Sequence, residues 1–347
     1  MSLYKLKREL FRVCMNAAVA GPFPREFKLN AIRYCKEHFC MTEGFDCQHP
    51  LPDLPHSEFA KVLDLSCTSG FGQTVHPDVI YTGGWGLGKW KYLMTITGFP
   101  FSNDYYENPE FLVSSDGIDW RVPESGRSPL VKFPAHVGYS YNSDPTLLYD
   151  REVVYLFYRE VRRTGRKSTV ALCCISSADG VSWSGEQRIM SASTTDRNPA
   201  ILMSPALLRL HGRYVMWYVE KTTADSFEIM RTESSELDTL QPGVKVLLNG
   251  LEGRQPWHLD VAEDGGRLLM ALCTADAGHE ILFAESRDLG FTWNVCGEQL
   301  MPDKYAFGGG CLYKPALCRD DSGGWRLYYS AQTETGIWLT AVTEVRL

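Results

Sequence analysis

The chain has 347 residues, enough for a large core, with 44% hydrophobic residues and a net charge of −7 at pH 7. No basic block or stripe runs through it, which argues against nucleic acid or an anionic membrane as the main partner. The 11 cysteines are odd in number and follow no zinc-ribbon or disulfide spacing, so they read as small buried hydrophobes of a reduced, cytoplasmic protein.

Residues 1–57 open the chain. Leu3 to Val13 carries apolar positions at helical spacing, Gly21-Pro22-Phe23-Pro24 breaks it, and Leu29 to Phe39 could form a second short helix. Lys5, Lys7, Arg8 and Arg12 interrupt any signal peptide. No apolar run approaches the roughly 18 residues of a membrane helix. This segment is expected to be a partly helical arm, acting as a cap, a lid or an oligomer contact.

From residue 58 to 347 one phrase recurs. It begins with a polar residue and continues as a strand: His76-Pro77-Asp78-Val79, Asp144-Pro145-Thr146-Leu147, Ser204-Pro205-Ala206-Leu207, His258-Leu259-Asp260-Val261 and Lys314-Pro315-Ala316-Leu317. A second and a third β-rich run follow each opening. Three copies end in a turn: Ser115-Asp116-Gly117-Ile118-Asp119-Trp120, Ser177 to Trp183, and Ser286 to Trp293. The five openings at 76, 144, 204, 258 and 314 are 54 to 68 residues apart. Five small sheets around an axis make an all-β, five-bladed β-propeller, with blades starting near 74, 142, 202, 256 and 312. The fifth copy has only three runs. A ring must close or leave an unpaired edge, so a strand near 61–66 is expected to complete the last blade.

In a propeller the first strand of each blade lines the channel, so its opening residues converge at one mouth. That ring is His76, Asp144, Ser204, His258 and Lys314, with Asp78 and Asp260 two positions on, on the same strand face. All five openings are polar although their strands are apolar. A water-filled channel that tolerates polar residues is the plainer explanation. Glu160 and Glu220 end aromatic second strands, where desolvation can raise a carboxyl pKa as a general acid needs. A solvated strand-end carboxylate is the alternative. The aromatic and polar loop of blade one (Trp85, Tyr105, Tyr106, Glu107), together with Arg159 and Trp257, suits a sugar ring, which offers an apolar face and hydroxyl edges.

The turn Ser286-Arg287-Asp288-Leu289-Gly290-Phe291-Thr292-Trp293 resembles the Asp box of sialidases and other propellers. Five repeats with Asp-Pro opening an inner strand resemble the five-bladed glycoside hydrolases of families 43 and 32. That resemblance implies a base or nucleophile carboxylate on blade one, a supporting Asp before Pro on blade two and a Glu acid opening blade three. Asp144-Pro145 matches the second. The first falls at His76, with Asp78 two residues later, and the third falls at Met203-Ser204, neither of them acidic. Glu220, on the next strand, is the substitute acid. His76-Pro77-Asp78-Val79, Tyr106-Glu107-Asn108-Pro109 and Ser115-Asp116-Gly117 also resemble a set of related bacterial and phage propellers of unassigned activity.

The expected catalytic residues are thus Asp78, Asp144 and Glu220. The expected substrate-binding residues are His76, Glu107, Arg159, Glu160, Trp257, His258, Asp260 and Lys314. A carbohydrate ligand is expected, acted on by a glycoside hydrolase-like protein, held by a non-catalytic binding propeller, or replaced by a partner docked on a structural platform. No cofactor is expected. His76 and His258 with Asp78 and Asp260 could hold a metal, but no spacing compels one.

Overall fold

The computed structural model describes residues 55–347, apart from 56, 66, 68–72, 100–103, 125, 127, 133–139, 165, 197–198, 224–225, 276–278, 308–309 and 334–337, and also Cys14. The expected N-terminal arm therefore lies almost wholly outside the described residues.

A short strand, β1 (Lys61–Val62), comes first. Blade one follows as β2 (Thr74–Trp85), β3 (Trp90–Gly98) and β4 (Pro109–Ser114). Blade two is β5 (Ser140–Asp150), β6 (Val153–Thr164), β7 (Lys167–Ser177) and β8 (Gln187–Thr194). Blade three is β9 (Met203–Leu210), β10 (Arg213–Thr223), β11 (Ser226–Ser234) and β12 (Val244–Lys245). The strand β13 (Leu247–Asn249) then runs parallel to the outer edge of blade four, which is β14 (Pro256–Asp264), β15 (Arg267–Thr274), β16 (Ile281–Ser286) and β17 (Thr292–Leu300). Blade five is β18 (Cys311–Arg319), β19 (Trp325–Gln332) and β20 (Trp338–Val345).

Within each blade the strands pair as an antiparallel meander, and the five sheets are separate from one another. The ring closes as expected: β1 pairs antiparallel with β20, Lys61 opposite Val342 and Val62 opposite Ala341. The Leu63 N–H extends the seam by donating to Thr340 O at 2.9 Å.

Each sheet is sandwiched between two others, so both of its faces must be apolar. The sequence of β6 shows how this is met. Leu156 and Tyr158 pack toward blade one, while Phe157 and Val161 pack toward blade three. The core is accordingly five apolar layers, one between each pair of neighbouring blades.

The three sequence turns lock these layers from outside. Ser177 Oγ accepts the Gly180 N–H at 2.9 Å, and Asp179 Oδ1 accepts the N–H groups of Val181 and Ser182 at 2.8 and 2.7 Å. Ser114 with Asp116, and Ser286 with Asp288, repeat the pattern. Each turn ends in a tryptophan set edge-on to an aromatic ring of the adjoining blade: Trp120 on Tyr328, Trp183 on Phe111 and Trp293 on Trp217.

The innermost strands are β2, β5, β9, β14 and β18. In four of them the pairing with the neighbouring strand slips at the opening residue, and in β14 it slips one residue earlier, at Trp257. His76, Asp144 and Ser204 also have positive φ, at 57°, 48° and 48°. Such bulges re-aim side chains and concentrate at functional sites. Here they deliver the polar openings to the axis.

Candidate functional site

Three of the five openings meet. His76, Asp144 and His258, from blades one, two and four, are only 2–3% exposed. Their ligand-type atoms lie within 4.8 Å of one another. His258 Nδ1 is 3.2 Å from Asp144 Oδ1, and His76 Nε2 is 3.7 Å from the same oxygen. Thr97 Oγ1 holds the other nitrogen of His76, Nδ1, at 3.0 Å. Yet His76 Nε2, Asp144 Oδ1 and both ring nitrogens of His258 are buried without a well-directed hydrogen bond. An unsatisfied buried polar atom costs about 1–3 kcal/mol, so native proteins rarely keep one. Three of these atoms, His76 Nε2, Asp144 Oδ1 and His258 Nδ1, face one another and make a donor set that could hold a metal ion.

Burial pushes the His76 imidazole down to about 3 and lowers that of His258. Both rings are neutral at pH 7, the form that binds metal. Burial alone would raise Asp144, but its surroundings hold it well below the usual carboxylate range. His76 and His258 lower it most, and Arg159 adds to them, its Nη1 3.8 Å from Asp144 Oδ2. Arg159 is itself fixed: Nε donates to Ile201 O at 2.8 Å, Nη2 donates to Pro199 O, and Nη1 donates to Ser143 Oγ at 3.3 Å. Ser143 Oγ donates in turn to Asp144 Oδ2 at 3.1 Å. Glu107 is buried beside this group. Burial, then the charges of Asp144 and Asp104, raise its carboxyl well above the usual range, which favours its protonated form. Two neighbouring carboxyls are thus driven in opposite directions.

The surroundings are two-sided. Blades one and two contribute Glu107, Asn142, Ser143, Asp144 and Arg159, all buried polar groups. The other side is an arc of rings. Phe227 and Trp257 are 5.0 Å apart, and Trp257 is 5.7 Å from His258. Tyr313 lies 4.3 Å from His258 and 5.3 Å from Trp338, which meets Phe99 at 5.5 Å.

The other expected residues are placed elsewhere. Asp78 Oδ2 accepts the Leu147 N–H at 2.6 Å and the Thr146 hydroxyl at 3.2 Å, joining blade one to blade two. Asp260 Oδ2 accepts the Leu317 N–H at 2.7 Å, joining blade four to blade five. Burial raises both carboxyls, that of Asp260 to about 7. Both line a cavity of about 420 Å³ whose walls run down the innermost strands to Tyr81, Tyr149, Arg209 and Arg319. Ser204 Oγ bonds both the N–H and the C=O of Leu259, at 2.9 and 2.8 Å. Lys314 is fully buried, and its Nζ donates to Leu259 O at 3.1 Å and Pro315 O at 3.3 Å. Glu160 is paired with Arg162 and Arg188 at 2.5 and 2.8 Å. Glu220 is half-buried, and burial raises its carboxyl.

Ser143, Thr97, Tyr313 and Trp338 were not among the expected site residues. Ser143 and Tyr313 each immediately precede an opening residue, as Trp257 does, and that position was the available signal. Thr97 and Trp338 sit on second and third strands, where nothing in the sequence marks them.

No family model matches the chain, and no curated protein matches it. Solved structures do. An N-acetylgalactosamine deacetylase from F. plautii, in complex with blood group B trisaccharide, is 18% identical with a TM-score of 0.68; the match covers 84% of this chain and 94% of that one. A xylan beta-1,4-xylosidase from Bacillus halodurans C-125 is 14% identical with a TM-score of 0.56, covering 79% and 53%. A GH43_1 enzyme from Xanthomonas citri, complexed with xylose, is 12% identical with a TM-score of 0.54, covering 79% and 87%. At such identities the likeness is one of fold: a five-bladed propeller of the kind found in family-43 glycoside hydrolases and related proteins. Among the described residues no helix is long and apolar enough to cross a membrane.

Proposed function

We propose that this propeller is a carbohydrate-active hydrolase that removes an acyl group from a sugar, with His76, Asp144 and His258 holding a divalent metal ion. One observation carries the reading: three metal-ligating side chains from three blades converge in a buried place with their facing atoms unsatisfied. Two imidazoles and a carboxylate are a donor set suited to zinc and similar ions, and three protein ligands leave a position open for water or substrate. Such an ion supplies a Lewis acid and lowers the pKa of bound water. The remaining work belongs to the chain. Thr97 orients His76, as supporting hydrogen bonds orient metal-bound histidines elsewhere. Arg159 and Ser143 keep Asp144 ionised and in place. Glu107, protonated beside them, is the group that can donate a proton to a leaving nitrogen or oxygen. The aromatic arc offers a face for a sugar ring, and the polar side offers partners for its hydroxyls. The deacetylase among the structural neighbours supports acyl removal as the reaction.

A second reading rests on the opposed carboxyls. A protonated Glu107 near an ionised Asp144 is also the pairing that glycoside hydrolysis requires. This reading and the first use Asp144, which the sequence named as catalytic beside Asp78 and Glu220, together with Glu107, which it named as substrate-binding.

The test is metal analysis of the purified protein, then assays on N-acetylated and O-acetylated sugars and oligosaccharides. We expect acetate release that is lost on chelation, restored by Zn²⁺ and absent in Asp144→Asn. Failure to bind Zn²⁺, Mn²⁺ or Ca²⁺ in calorimetry would remove the metal-based reading. New reducing ends from metal-stripped protein, lost in Glu107→Gln, would transfer the assignment to glycoside hydrolysis.

A further inference from the structure

His76 and His258 are held by different means. The His76 ring has a hydroxyl on Nδ1, which fixes its rotation and turns Nε2 toward Asp144. For His258 the facing atom is Nδ1, 3.2 Å from Asp144, and the remaining nitrogen, Nε2, has no partner. A metal-bound histidine is ordinarily aligned by a hydrogen bond on that second nitrogen. Ring packing takes its place here. Tyr313 sits edge-on to His258, with centroids 4.3 Å apart and planes at 67°. It also touches His76 at 5.3 Å, so one phenol ring bears on both imidazoles. Trp257 packs edge-on to His258 at 5.7 Å and 87°. Trp338, at 5.3 Å, backs Tyr313.

From this arrangement we infer that Tyr313 is a positioning residue of the metal centre, aligning His258 through its ring rather than through its hydroxyl. The inference rests on the metal-based reading above and adds to it the device that sets one ligand. Tyr313 lies next to Lys314, whose ammonium is tied to Leu259 O and Pro315 O. Tyr313 is itself paired with Ser330 on β19, so the ring has a fixed base from which to press. Edge-to-face contacts between rings are directional, so they select one rotation of the imidazole.

The experiment uses the full chain, stripped of metal and titrated with Zn²⁺ by calorimetry and with Co²⁺ by visible absorption. The wild type, Tyr313→Phe and Tyr313→Ala are compared, with unfolding curves confirming that each variant is folded. Phe keeps the ring, so its Zn²⁺ affinity and Co²⁺ spectrum should match the wild type. Ala should weaken Zn²⁺ binding by about 10–100-fold, the usual effect of removing a supporting residue, and should alter the Co²⁺ band shape. Equal affinity in Ala and wild type overturns the inference. An equal loss in Phe and Ala overturns it too, because the hydroxyl would then be the active part. If the wild type itself binds no ion, the metal-based function falls first and this inference with it. If Tyr313→Ala does not fold, Tyr313→Leu replaces it, since leucine fills space without offering a ring edge.

Discussion

Asp78 and Asp144 are both buried carboxyls on innermost strands, two residues and no residues beyond their openings, yet their surroundings divide them. Asp144 faces two imidazoles and a guanidinium, with one oxygen unsatisfied. Asp78 faces backbone donors of the next blade. Replacing Asp78 by Ala strands a buried N–H at Leu147, which costs about 1–3 kcal/mol. Asn retains a carbonyl oxygen that can accept the same N–H and should cost less. Urea unfolding should therefore rank wild type, Asp78→Asn and Asp78→Ala in falling stability, with Zn²⁺ affinity unchanged in all three. A variant that keeps its stability but loses ligand binding would return Asp78 to the site. The sequence set the two aspartates side by side as candidates. It could not separate them, because what differs is the element that each one faces.

At the scale of the element, the serine–aspartate turns were legible and their chemistry has a pH signature. The N–H groups of Ser182 and Val181 hold the Asp179 carboxyl below its ordinary value. A carboxyl whose folded pKa is depressed contributes stability above its unfolded pKa, near 4, and loses it as pH falls through the folded value. Asp116 and Asp288 are also lowered, against the opposing effect of their burial. The melting temperature should thus drop between pH 4 and pH 2. In Asp179→Ala the drop should shrink, from a lower starting point at pH 7, because the variant has already lost the bonds that acid removes. An unchanged difference between pH 7 and pH 2 would mean that these turns do not contribute to acid sensitivity. The openings were legible as well, as polar residues before apolar strands. Their left-handed φ was not, since His, Asp and Ser before proline give no warning of it.

For the whole molecule, the decisive joint is the seam between the first strand and the last. Leu63 and Leu65 are buried where blade five meets blade one, and the Leu63 N–H bonds to Thr340 O. Leu63→Pro removes that donor and strains the strand. It should lower the unfolding midpoint and promote oligomers by uncovering the edge of β20, as read by size-exclusion chromatography. A monomer of wild-type stability would show that the ring does not depend on this pairing.

The repeat alone determined five blades, the order of their strands, the closing strand and the ring of polar openings. These follow from periodicity and turn chemistry, which act over a few residues and are written locally. Tertiary structure alone decided which openings meet. His76, Asp144 and His258 come together, while Ser204 and Lys314 turn to the backbone of Leu259. It also brought Tyr313 against His258 and drove Glu107 and Asp144 apart in pKa. Those outcomes depend on the curvature of the closed ring and on burial. Both arise between blades, where residues far apart along the chain first become neighbours.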